Sequence, residues 1–201
     1  MANVFDWVRH YFLFAIMEKM GFNNDILNWI QACINSMWIS LLVNGNRTKF
    51  FQATRGLQQG CPLSPLLYII MDESLSKKLE YERLEGNLSG LSIVRNIKTI
   101  NHSQFADDTL LLGGASKVIV GRFKKVLDSY LSLSRGFINK RKSKINGWNF
   151  LGDLLRSIYA SIEFPFSCNW SSFKYVGIPI SLGSYSRTNW EEVVQKFKTK
   201  I

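Results

Sequence analysis

The segment Gln104–Gly114, QFADDTLLLGG, constrains the chain more than any other. Thr109 and the three leucines after it read as a short buried strand, and Gly113-Gly114 end it. Neighbouring residues of a strand face opposite sides, so Asp107 and Asp108 can serve one site only at a tight turn. The simplest arrangement is a β-hairpin with Asp107-Asp108 at its tip and apolar strands on either side. Two carboxylates held so close repel each other, and a cation relieves that repulsion. Hard oxygen donors suit magnesium or manganese. Aspartate is also a common turn residue, so a plain solvated turn is the alternative, and the rest of the chain must decide between them.

The chain has 201 residues, 46% of them hydrophobic and 13% aromatic, enough for a real core and incompatible with wholesale disorder. Lysine and arginine outnumber the acids 25 to 15, a net charge of +10 that suits a polyanionic partner. The basic residues are clustered. No acid occurs between Ser129 and Gly152, where Arg135, Lys140, Arg141, Lys142 and Lys144 crowd together as a candidate phosphate contact. Cys33, Cys61 and Cys168 are scattered and odd in number, which points to a reducing, intracellular compartment and against a disulfide framework. His10 and His102 make no zinc pattern. The longest apolar runs, such as Tyr11–Met17, are too short to span a bilayer, so no membrane partner is expected.

In chain order, Asn3-Val4-Phe5 read as the end of a strand that delivers Asp6. Trp7–Met20 reads as a buried helix with Gly21 as its C-terminal stop. Asn23 or Asn24 caps a second helix with Ile26, Ile30, Cys33 and Met37 at helical spacing. Ile39–Val43 and Arg47–Gln52 are strands joined through Asn44-Gly45, a strong hairpin signal. Thr54–Pro65 holds two glycines and two prolines, which rule out a regular element. Ser64 is placed to cap the next helix with Pro65 at its first position. That helix begins apolar on all sides and becomes charged from Lys77 onward. One or two strands precede the aspartate hairpin. Ser116 then caps a helix bearing Ile119, Phe123, Val126 and Tyr130 on one face. Phe150–Phe166 gives no clear periodicity. Lys174–Ile180 reads as a strand turning through Gly177 and Pro179, and Thr188-x-x-Glu191 as a capping box for a last helix.

This order of motifs resembles the palm of a reverse transcriptase, of the LINE-type (non-LTR) retrotransposon kind found in plants. Phe5-Asp6, with Phe12-Leu13 and Met20-Gly21-Phe22 after it, is similar to the family's first aspartate motif. Arg55-Gly56-Leu57-x-Gln59-Gly60-Cys61-Pro62-Leu63-Ser64-Pro65 resembles the next motif almost residue for residue, and Phe105-Ala106-Asp107-Asp108-Thr109 the catalytic hairpin. Gly136, Ile138-Asn139 and Lys142-Ser143 are similar to the motif that follows, one residue shorter than the usual pattern. Phe173–Pro179 resembles the stretch linking palm to thumb. Asn3-Val4 depart from the Lys-Ala that usually precedes Phe-Asp.

The resemblance implies an α+β fold, an antiparallel sheet backed by helices, with the palm over residues 1–147 and the connection to the thumb over 148–201. It implies an RNA-directed DNA polymerase acting on an RNA template, a DNA primer and deoxynucleoside triphosphates, in the nucleus if it acts as the family does. Asp6, Asp107 and Asp108 are then the catalytic carboxylates and the ligands of Mg2+ or Mn2+. Phe12, Gly56, Gln59 and Gly60 are expected at the nucleotide and template, although the aromatic there, Phe12 or Tyr11, reads better as ordinary core. Lys140, Arg141 and Lys142 are expected on nucleic-acid phosphates. The resemblance also implies that the fingers before Asp6 are missing and the thumb only begun. A non-catalytic remnant that binds nucleic acid through its basic face is the alternative.

Overall fold

The computed structural model describes residues 4–92, 99–148, 158, 164–168, 170–181 and 187–199. Among these the fold is α+β, built from helices and short, mostly antiparallel strand pairs. A single sheet was expected. The described strands instead form five separate two-stranded ladders, four of them antiparallel.

Asp6 does not end a strand. It lies in a helical turn, α1 (Val4–Trp7), followed by α2 (His10–Lys19). The chain breaks between them at Val8 and Arg9, and the carbonyls of Phe5 and Val8 accept from Leu57 and Gly56, both at 2.8 Å. These contacts reach some fifty residues along the chain, which is why local sequence did not reveal the turn. At the end of α2 the expectation holds: Gly21 adopts φ +87°, its N–H donates to Glu18, and the N–H of Phe22 donates to Met17. This 6→1, 5→2 closure satisfies the last carbonyls of the helix. Asn23 caps α3 (Asn24–Asn35), its side-chain oxygen accepting from the Ile26 N–H at 2.9 Å.

The next four strands, β1 (Trp38–Ile39), β2 (Leu42–Val43), β3 (Asn46–Arg47) and β4 (Phe51–Gln52), form two stacked ladders, β2–β3 inside β1–β4. Asn44 and Gly45 turn the inner one at φ 50° and 80°, the double positive φ that Asn-Gly favours. Helix α4 (Leu63–Leu84) starts two residues earlier than expected. Ser64 is buried and does not cap; its hydroxyl donates to the Gln58 carbonyl at 2.7 Å, pinning the preceding loop to the helix.

After a bridge between Leu91 and Ile100 come β5 (His102–Phe105) and β6 (Asp108–Leu111). Ser116 caps α5 (Lys117–Ser134) as expected, accepting from the Val118 N–H at 3.2 Å. Then β7 (Ile145–Asn146) pairs in parallel with β8 (Phe166–Ser167). The hairpin β9 (Ser172–Tyr175) and β10 (Ile178–Ser181) turns at Val176-Gly177 rather than through Pro179. Pro179 sits opposite Lys174. With a two-residue turn that is a pair needing no N–H from proline. Helix α6 (Arg187–Lys198) follows and already includes Thr188, expected as its cap; most of 149–163 lies outside the described residues.

Two apolar clusters hold the helices together. The first joins Leu13 and Met17 of α2, Leu27 and Ile34 of α3, Leu57 of the loop, and Leu67, Tyr68 and Met71 of α4. The second joins Leu75 and Leu79 of the same α4 with Leu88 and with Phe123, Val126 and Tyr130 of α5. Phe12 packs against both. No helix among the described residues is long and apolar enough to cross a membrane.

Candidate active site

Tyr68 is the residue around which the site is built. It lies on the first turns of α4, 4% exposed, with its ring 5.4 Å from that of Phe5. A buried tyrosine needs a partner for its hydroxyl, and here the O–H donates to the carbonyl of Ala106 at 3.0 Å. One side chain therefore touches the residue before Asp6 and the residue before Asp107. Burial, followed by the carboxylates of Asp72 and Asp107, holds the Tyr68 phenol far above its ordinary pKa. It is a neutral donor at any physiological pH.

The β5–β6 hairpin is present, but its tip is Ala106-Asp107. Phe105 pairs with Asp108, which makes Asp108 the first residue of β6. Ala106 takes φ 49°, a positive value at the first turn position as two-residue hairpins require. Sequence reasoning placed the turn one residue late because alanine gives no signal for that backbone. Asp107 and Asp108 are both exposed, as is Asp6.

The glycine-rich loop closes over the Asp6 segment. Besides the two backbone bonds from Gly56 and Leu57, His10 Nε2 bonds the Gly56 carbonyl at 2.8 Å. A Cβ on Gly56 would lie 3.1 Å from the Asp6 carbonyl oxygen, so the close approach that glycine permits here is to the chain itself. Leu57 anchors the loop in the core. Gln59 and Gly60 are exposed, and the Gln59 amide donates to Asp6 Oδ1 at 3.1 Å. Gly60 has open space around it.

Trp7 joins the loop to the basic segment: Arg55 stacks on its ring at 4.5 Å, and Phe137 meets it edge-on at 4.9 Å. Lys140, Arg141 and Lys142 are exposed on a turn folded around Asn139, whose side chain accepts from the Arg141 and Lys142 N–H groups at 3.1 and 3.3 Å. Phe12 is half-buried with its ring 6.0 Å from Tyr130, as ordinary core, while its neighbour Tyr11 is 84% exposed. Tyr68, His10 and Trp7 were not singled out from sequence. Tyr68 alone carried a signal, a hydroxyl within the apolar start of a helix.

Among the described residues no three His, Cys, Asp or Glu side chains gather into a group that could hold an ion, so Asp6, Asp107 and Asp108 do not form one cage. Their donor chemistry still fits magnesium. That ion commonly takes one or two carboxylates and fills its octahedron with water and substrate phosphates.

A loop clamped on an exposed aspartate and an exposed Asp-Asp hairpin thus meet at the buried Tyr68, with exposed basic side chains on the segment that Trp7 joins to the loop. The sequence profile described as reverse transcriptase (RNA-dependent DNA polymerase) matches residues 1–180, and the chain belongs to that family. Among similar proteins is an uncharacterized mitochondrial protein of Arabidopsis thaliana, 39% identical over 72 residues, 36% of this chain and 59% of that protein. The Pol polyprotein of the type-1 retrotransposable element R2 of Popillia japonica is 32% identical over 113 residues, 56% of this chain and 18% of the polyprotein. The 149 kDa protein of transposon TX1 of Xenopus laevis is 26% identical over 185 residues, 91% of this chain and 13% of its own length. The chain thus resembles a short part of LINE-type retrotransposon proteins.

Proposed function

We propose that this chain is the palm of an RNA-directed DNA polymerase, residues 1–147, followed by the start of the thumb, 148–201. The observation that supports it best is the contact of Tyr68 with both Phe5 and Ala106, which brings the two aspartate motifs to one side chain. Asp6 and Asp107, with Asp108 beside them, would hold magnesium or manganese, which when bound neutralises triphosphate charge and activates the primer hydroxyl. Gln59 and Gly60 face the template and the incoming nucleotide from the loop. Gly56 serves the same surface indirectly by seating the loop on Asp6. Lys140, Arg141 and Lys142 meet backbone phosphates of the RNA template and DNA primer.

Phosphoryl transfer of this kind is mostly positioning, and small misplacements cost about a hundredfold each. Extension therefore needs triphosphate and duplex held in place as well as the carboxylates, and residues 1–201 tested by themselves are expected to extend primers poorly. The test is primer extension by the chain alone and by a version carrying related fingers and thumb. Extension only by the grafted version, abolished by Asp107→Ala, supports the reading; extension by neither goes against it. A second reading, a non-catalytic domain that binds nucleic acid through its basic face, draws on the three carboxylates not gathering into one group. Hybrid binding with no extension even after grafting would favour it.

A further inference from the structure

Helix α4 lies along strand β5, and polar groups join them at regular intervals. Tyr68 reaches the carbonyl of Ala106 at 3.0 Å, Ser76 Oγ bonds His102 Nε2 at 2.8 Å, and the Asn101 amide donates to the Leu79 carbonyl at 2.9 Å. Positions 68, 72 and 76 are successive i, i+4 neighbours on one helix face. Along the strand, Gln104 stands two residues from His102 and two from Ala106, with its side chain on the same face as that of His102. Asp72 and Gln104 are therefore the pair expected between the Tyr68 and Ser76 contacts. Both are present with complementary atoms, Oδ1 as acceptor and Nε2 as donor, buried and without a hydrogen-bond partner. Two further orphaned hydroxyls adjoin them. Thr109 is directly opposite Gln104 in the hairpin and so shares its face, and Tyr130 of α5 is electrostatically coupled to Asp72. Four buried, unsatisfied polar groups in one place cost too much to leave unpaired.

We propose that Asp72 and Gln104 form this missing contact, directly or through one internal water, joined by the hydroxyls of Thr109 and Tyr130. Asp72 is thereby a positioning residue for the hairpin that carries Asp107 and Asp108. Its importance for polymerisation rests on the function proposed above; the contact itself does not.

Amide hydrogen exchange on the purified chain, without substrate, tests it. The Ser103 and Leu110 amides face each other in the hairpin. In Asp72→Leu they should exchange about tenfold faster, the effect of one lost hydrogen-bonded contact, while amides of α2 such as Met17 keep their rates. Asp72→Asn, which retains an acceptor and adds a donor, should restore near-native rates. Unchanged hairpin exchange in Asp72→Leu overturns the proposal. So does acceleration shared equally by α2, or an Asn variant as fast as the Leu variant. If Asp72→Leu does not fold, Gln104→Met opens the same contact from the other side. Its hairpin amides should likewise exchange about tenfold faster while those of α2 keep their rates; unchanged hairpin exchange, or acceleration shared equally by α2, overturns the proposal.

Discussion

Gly56 and the Asp6 carbonyl are so close that a methyl group on the glycine would sit 3.1 Å from that oxygen. The backbone there is also at φ +85°, where side chains are strained. Gly60 shares the same φ but has nothing within 4 Å. Gly56→Ala should therefore destabilise by about 2–3 kcal/mol and Gly60→Ala by only about 1 kcal/mol, strain without a clash. Urea unfolding of the two variants measures the difference; equal losses would show that the loop does not rest on Asp6.

Tyr68→Phe keeps the ring against Phe5 and removes the bond to Ala106. The Ala106 carbonyl is on an exposed turn and can turn to water, so the cost should be about 1 kcal/mol. The loss should appear first in the hairpin, as broadened or shifted amide resonances of Ala106 and Asp107. Leu79→Ala, fully buried in the second cluster, should cost about 3 kcal/mol by leaving a cavity.

Burial raises the Asp72 carboxyl to about 6, with Glu73 adding to the effect. The folded chain then binds this proton more tightly than the unfolded chain, so stability falls as pH rises from 4 through 6 and is greatest below that range. The full difference would be about 3 kcal/mol, and partial exposure reduces it to about 1 kcal/mol. Hydrogen bonds from Gln104 or Tyr130 to the ionised form act the other way. Gln104→Leu should therefore move the Asp72 midpoint upward in a carboxyl-carbon NMR titration. A midpoint at the ordinary aspartate value in both proteins would contradict this account.

Binding to an RNA–DNA hybrid should be weak, sequence-indifferent and steeply salt-dependent, because released counterions drive it. Replacing Lys140, Arg141 and Lys142 together by alanine should lower the slope of log K against log salt by about 2–3. An unchanged slope would mean that phosphates sit elsewhere on the chain.

The parts of this fold that could be read from sequence are those with a local cause. Asn44-Gly45, the Asn23 and Ser116 caps and the Gly21 stop all act within four residues, and the structure has each of them. The apolar run after Asp108 gave the hairpin strand. Three features depend on distant partners and were misread. Asp6 lies in a helical turn because Gly56 and Leu57 donate to its segment, and Ser64, already inside α4, turns its hydroxyl back to the Gln58 carbonyl instead of capping. The hairpin tip falls at Ala106-Asp107, with the Tyr68 hydroxyl bonded to the Ala106 carbonyl. The site was found through residue types and their order. Tyr68, the residue that joins its parts, was not.

Helix α4 contributes Leu67, Tyr68 and Met71 to one apolar cluster and Leu75 and Leu79 to the other. With 22 residues it is about 33 Å long, and neither cluster closes without it. The two cores therefore cannot melt independently: losing one frays the helix that the other needs. Indole fluorescence and backbone dichroism should trace a single coincident transition, as expected of one cooperative unit. The aspartate hairpin rests on the middle of that shared helix, so the site should persist until the whole unit unfolds.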